Sequence, residues 1–453
     1  MSLNETYSYI DVNQDRFVED LRRFVRIPSI STQKGGTRKC AELLVEMMRE
    51  IGIGARIIET EWQPYVFGEV KSQVSNKTLL IYNHYDVVSP DPTEAWTCDP
   101  FAAELREGKI IGRGATDSKG NLMAHLKAVE AFFEASGDVP INLKFIFDGE
   151  EEIGCVSMPG FIETYKPLLM ADAVLSFDSG FTDGEAPTIT FGNGGILYLE
   201  FIARGSEKIL HSSRAGHLVK NPIWELVWAL STLKDPSERV LIDGFYDNIR
   251  AITEEDENLM KEVPWDDQKQ YKTFGVKDFL KGLKGVDALR TMFFEPKCTI
   301  CGFNAGYSGR GVKTVLPNIA SAKVHFSLTA DQLPNEILDK LKTHLLKHGY
   351  GSIELTELTA TEPSVCSTQS EIAEATKGAV EPVYGAKPLV LPRLYGYGRQ
   401  STWIANRLGI EGVMTGIGPP DFNGHAPNEF MTVEHFIKGI KFAATIWQVY
   451  SRI

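Results

Sequence analysis

Three apolar runs in the first half of the chain each end in residues that carry chemistry, and this pattern narrows the possible folds more than any other. Leu79-Leu80-Ile81 runs into Asn83-His84-Tyr85-Asp86. Ile141 to Phe147 runs into Asp148-Gly149-Glu150-Glu151-Glu152, and Ala173 to Phe177 into Asp178. Amphipathic helical patterns lie around them. Asn13 to Arg26 places Phe17, Leu21, Phe24 and Val25 on one face and stops before Pro28. Thr37 to Ile51 places Ala41, Leu44, Val45 and Met48 on one face and stops at Gly52. Gly120 to Ala135 and Met158 to Tyr165 read as further helices. Short apolar runs alternating with helices predict an α/β fold, with a mainly parallel sheet covered by helices on both faces.

The pattern changes near Gly192-Asn193-Gly194-Gly195. Ile196 to Ala203, Ala322 to Leu328 and Ser352 to Leu358 alternate apolar with polar, as in an antiparallel sheet with one wet face. Asn248 to Leu283 between them is charged and helical. From Ser370 the helix–strand alternation returns and runs to the end. The chain of 453 residues is long for one domain. The expected organisation is a catalytic α/β domain from 1–193 plus 362–453, interrupted by a smaller α+β insert at 194–361.

A net charge of -13 argues against nucleic acid and anionic membranes as partners. No window reaches the ~20 apolar residues of a membrane span. Met1 to Asp11 is polar, without an apolar signal core. Six scattered cysteines do not form a disulfide framework, so a cytoplasmic location is expected. Cys298 and Cys301 form a C-x-x-C without a second pair, which reads as two small residues on a strand rather than half a zinc ribbon.

Ligands of open parallel sheets bind at the carboxyl ends of the strands. There this chain gathers His84, Asp86, Glu150 to Glu152 and Asp178. The glycine-rich turn Gly112-Arg113-Gly114-Ala115-Thr116-Asp117 enters a helix, and the polar loop Asn423 to Glu429 adds His425. Two histidines among several carboxylates suit zinc or manganese better than calcium, which takes oxygen alone. One catalytic zinc needs three protein ligands, so the surplus points to two ions. Two ions about 3.5–4 Å apart can share one hydroxide and polarise one carbonyl. Adjacent Glu151 and Glu152 can then divide the work of general base and ligand, while Asp86 supports His84. Each piece alone is weak, since runs of glutamate are usually solvated and a His-x-Asp is usually structural. Their convergence on one sheet edge carries the reading.

His84-Tyr85-Asp86, the block from Gly112 to Gly120, the block from Asp148 to Gly154, Asp178 and His425 resemble, in order and spacing, five blocks of one dinuclear metallopeptidase family. It includes carnosinases and cytosolic dipeptidases, carboxypeptidase G, aminoacylase, acetylornithine deacetylase and succinyl-diaminopimelate desuccinylase. The long insert resembles the carnosinase-like branch most. The resemblance implies an enzyme that cleaves the amide bond of dipeptides or of C-terminal amino acids with two divalent ions, zinc first and manganese or cobalt as alternatives. It implies that Asp117 bridges the ions, that His84 and Asp178 complete one site, and that Glu152 and His425 complete the other. Glu151 would be the base. The insert would be a lid and dimer interface, from which His211 reaches the partner's active site and Thr314 helps bind substrate.

Two departures bear on the substrate. Thr329 stands where that branch carries a carboxylate-binding arginine, and the usual Gly-Gly-Ser loop reads Gly396-Tyr397-Gly398-Arg399-Gln400-Ser401. Arg399 or Arg393 is expected to supply the missing charge. A deacylase of N-acyl amino acids is the alternative activity. A silent binding protein is disfavoured because every expected ligand and the base are competent residues. His344 and His348 are four apart without the zincin glutamate and are expected on a solvated helix face, while His125 is expected to be packed. No nucleophile elbow or phosphate-binding loop is present.

Overall fold

The apolar runs assemble into one eight-stranded sheet. The computed structural model describes residues 3–453 except 34, 179, 183 and 399, with 395–397 described by backbone alone. The strands are β1 (Gly54–Ile58), β2 (Tyr65–Val70), β3 (Thr78–His84), β4 (Asn142–Asp148), β5 (Ala173–Phe177), β6 (Thr188–Thr190), β7 (Leu389–Leu391) and β8 (Glu411–Thr415). Their order across the sheet is β1-β2-β4-β3-β5-β8-β6-β7. The central four, β4, β3, β5 and β8, are parallel. Antiparallel pairings join β2 to β4 and β8 to β6 toward the edges.

The period of two along each central strand divides the core between two faces. Leu79, Ile81, Phe145, Phe147, Leu175 and Phe177 pack with residues of the helices Lys119–Ser136 and Val433–Tyr450. Leu80, Tyr82, Ile146 and Val174 pack with residues of the helices Met158–Leu169 and Ser401–Leu408. Burial on both faces is why apolar residues run consecutively in these strands, as in Leu79-Leu80-Ile81 and Phe145-Ile146-Phe147. Each such side chain contributes about 1.5–3 kcal/mol. The same registers level the carboxyl ends, with His84 directly beside Asp148.

A second compact unit comprises 193–364 and 393–398. Its sheet is antiparallel, in the order Lys297–Ala305, Ile319–Leu328, Gly192–Arg204, Glu354–Thr361. Leu197, Leu199, Phe201, Val324 and Phe326 face the helices Pro222–Ser231 and Pro334–Lys347, leaving alternate residues outward. Residues 393–398 cluster here rather than with the flanking segment where sequence alone puts them, because Leu394 and Tyr397 pair with Asn193 and Gly194. The charged stretch resolves into Glu254–Glu262, capped by a reciprocal Thr253–Asp256 box, and Asp267–Phe274. His344 departs from its expected solvated position. It is buried, with Nε2 3.0 Å from Thr232 Oγ1. Among the described residues no helix is long and apolar enough to cross a membrane.

Candidate metal centre

His84 closes β3, and its imidazole is aimed by its own turn. Nδ1 lies 3.1 Å from the Asp86 carbonyl oxygen and 3.4 Å from Asp86 Oδ1. With Nδ1 engaged, Nε2 is left for the cluster, 3.1 Å from Asp117 Oδ1 and 3.7 Å from Asp178 Oδ1. On the other side His425 Nε2 lies 3.1 Å from Asp117 Oδ2 and 3.2 Å from Glu152 Oε2. Asp117 therefore offers one oxygen to each histidine. Ligand atoms of His84, Asp117 and Glu152 all lie within 4.8 Å of one another.

The turn bearing Asp117 is held by a residue given no role in the sequence reading, Glu429. Its fully buried carboxylate accepts N–H bonds from Gly114, Thr116 and Asp117 at 3.0, 3.0 and 2.9 Å. Buried Arg113 neutralises it at 2.7 Å. The signal was the arginine inside the glycine-rich block, since a buried guanidinium needs a buried acid. Glycine is required twice. Gly114 has φ +87°, and a Cβ on Gly120 would stand 2.3 Å from the Ala115 carbonyl oxygen.

Asp86 does more than support His84. Its two carboxylate oxygens accept the backbone N–H groups of Glu151 and Glu152 at 3.1 and 3.0 Å. One side chain thus sets the imidazole and the turn that follows β4. Buried Glu150 ties that turn down, accepting from Gln63 N at 2.9 Å and Ser157 N at 2.7 Å. Gln400, likewise unassigned from sequence, donates to Glu151 Oε1 at 3.2 Å and to Asp178 Oδ2.

The electrostatics favour added positive charge. Burial pulls the His84 pKa down, but bonds to Asp117, Asp178 and Asp86 outweigh it and raise it well above 6.5. Hydrogen bonds to Asp117 and Glu152 push His425 up to about 10. Burial drives the Asp117 carboxyl upward, yet both histidines more than reverse this and hold it low. Burial, reinforced by Asp178, Glu152 and Asp117, raises Glu151 well above 4.5 against the pull of His84. Burial also raises Asp148 to about 8, helped by Asp86 and Glu150. Protons on the two imidazoles sit where cations would, on nitrogens already aimed at carboxylate oxygens. This donor set fits divalent ions of the imidazole-and-carboxylate class.

Three of the other expected residues belong to the second unit. His211 and Thr314 are in the second unit, with Nε2 and Oγ1 3.1 Å apart; His211 ends one short strand and Thr314 directly precedes the strand that pairs with it. Arg393 is buried in that unit, its guanidinium 4.2 Å over the Phe294 ring and its Nε without a partner. Burial lowers its pKa to about 10. Arg399 lies outside the described residues. Cys298 is buried and Cys301 exposed on one strand, and both are free thiols.

Residues 80–449 match the sequence profile of peptidase family M20/M25/M40. The chain is 29% identical to the Cys-Gly metallodipeptidase of Schizosaccharomyces pombe, over 98% of each chain. It is 26% identical to the Beta-Ala-His dipeptidase of Homo sapiens, over 98% of this chain and 92% of that one. Among solved structures, an M20 family metallo-carboxypeptidase from Sulfolobus solfataricus superposes with a TM-score of 0.89 at 35% identity, over 96% of this chain and 99% of that one.

Proposed function

The chain belongs to peptidase family M20/M25/M40, and we propose that it is a two-metal dipeptidase, with carboxyl-terminal residues of short peptides as further substrates. The observation that carries this reading is Asp117, whose two oxygens each meet one histidine. His84 and Asp178 would hold one ion, Glu152 and His425 the other, with Asp117 shared. Zinc fits this mixture first, and manganese or cobalt fit it next. When bound, the ions supply Lewis acidity at the scissile carbonyl and acidify water.

The protein's own groups do the rest. Glu151 takes a proton from the attacking water and passes it to the departing nitrogen. Asp86 fixes the direction of Glu151 through the backbone, and Gln400 steadies Oε1. His211 stabilises the oxyanion in the partner subunit's site of a homodimer, and Thr314 contacts the substrate. Arg399 and Arg393 are the arginines proposed to meet the substrate's carboxylate, and burial of Arg393 favours Arg399 of the two. Six free cysteines support a reducing, cytoplasmic setting.

Full-length similarity to enzymes named as dipeptidases favours peptides over N-acyl amino acids as substrates. A panel of dipeptides and N-acyl amino acids, assayed after chelation and again after adding zinc, manganese or cobalt, separates the two. Metal-restored cleavage of dipeptides is expected. Restored cleavage of N-acyl amino acids alone would move the activity to deacylation.

A further inference from the structure

The side chain of Gln400 touches both a proposed metal ligand and the proposed base. It is half-buried, and its Nε2 donates to Glu151 Oε1 at 3.2 Å and to Asp178 Oδ2. Gln400 is the N-cap residue of the helix Ser401–Leu408, yet its side chain makes no bond to the first turn of that helix. Its carbonyl oxygen accepts from Ile404 N at 2.9 Å, so the backbone serves the helix and the amide is left to the acids. The usual Gly-Gly-Ser loop has glycine before its serine, and glycine has no side chain to make these contacts. They arise where this chain departs from that pattern.

The backbone around Gln400 is fastened to the strands that end at the site. Buried Ser401 donates to the Val413 carbonyl oxygen in β8 at 2.9 Å. β8 pairs in parallel with β5, and Asp178, directly after β5, donates its N–H to the Thr415 carbonyl oxygen at 2.6 Å. Neighbouring strands of one sheet therefore hold both the amide and its acceptor. The chemistry of the group is also specific. A primary amide carries two N–H donors on one nitrogen and no charge. It can meet two carboxylates at once, setting a dipole between like charges, without a fixed cation where divalent ions would bind. Lysine would bring that charge, and an ionised glutamate would bring acceptors alone. The two oxygens of Asp178 face different ways, Oδ2 to Gln400 and Oδ1 to His84 Nε2 at 3.7 Å.

We propose that Gln400 is a positioning residue that couples the metal centre to the base. By holding Asp178 Oδ2 it turns Oδ1 toward the ion shared with His84, and by holding Glu151 Oε1 it fixes the direction of the group that takes the proton of water. The assignment rests on the two-metal dipeptidase reading and adds to it that ion retention and turnover depend on one amide. Partners that orient a ligand in this way are worth about 10–100-fold in metal affinity or activity.

The test uses Gln400→Met, which keeps the bulk and removes both donors, and Gln400→Ala, which removes bulk and donors together. Zinc binding to the metal-free proteins is titrated calorimetrically. Turnover and KM for a dipeptide are measured at saturating zinc, with the melting temperature as a check on folding. Both variants are expected to lose about 10–100-fold in zinc affinity and in kcat, with KM and melting temperature close to the parent's. Parent-like zinc binding in both variants would overturn the assignment. So would a lost affinity with kcat intact at saturating zinc, or a loss confined to KM. Should the parent cleave no dipeptide, the dipeptidase reading fails, and the zinc titration still decides whether Gln400 acts on the centre.

Discussion

At the residue scale, Asp86 and Glu429 show how a few buried carboxylates position a whole centre. Each collects backbone N–H groups, from Glu151 and Glu152 in one case and from Gly114, Thr116 and Asp117 in the other. The base itself is exchangeable without touching this frame. Glu151→Gln is expected to keep the bound metals and the melting temperature while turnover falls about 10²–10⁴-fold. Steady-state kinetics beside metal analysis would check it, and activity within tenfold of the parent would remove Glu151 from the role. The five proposed ligands and Glu151 were legible because each follows an apolar run or a glycine turn. Glu429 and Gln400 were less so, since a buried acid and an amide look in sequence like any loop residue.

Elements were legible where both faces are buried. β5 matches its expected span, and the helices flanking it begin and end within a few residues of the pattern. The strand Lys297–Ala305 was read only around Cys298 and Cys301, because most of its residues face solvent on either side and no alternation survives. His344 was misread although its signal was present: Ile337, Leu341, His344 and Leu345 share one helical face, and three of them are apolar. His125 has the opposite outcome. It is packed, with ring centroids 4.1 Å from Phe177 and 6.0 Å from Trp447, and neither nitrogen has a partner. Burial lowers its pKa from 6.5 to about 3. Between those values the unfolded chain binds a proton that the folded chain refuses, so stability falls as pH drops through that window. The loss from pH 7 to pH 5 should be about 2 kcal/mol from this one group. Denaturant titrations of the parent and His125→Leu at both pH values should show a shallower acid dependence in the variant. Parallel slopes would mean that His125 is charged in the fold.

At the scale of the whole molecule, the two units differ in how legible they were. The first was predicted from continuous apolar strands, the second from alternation, and the return of 393–398 to the second sheet was not legible because pairing partners lie some two hundred residues apart. The proposed action of His211 across a dimer makes one distinctive prediction. Mixed protomers of Glu151→Gln and His211→Ala, each dead alone, should recover about a quarter of parent activity after random exchange, since one site in each mixed dimer is whole. Mixed dimers that form and stay inactive would place His211 outside the reaction. The central claim, a two-ion centre bridged by Asp117, is tested most directly by counting divalent ions retained per chain in the parent and in Asp117→Ala after dialysis. Two ions in the parent, with loss of both in the variant and of activity with them, is the predicted result. A parent fully active with one ion, or a variant that keeps two, would contradict it.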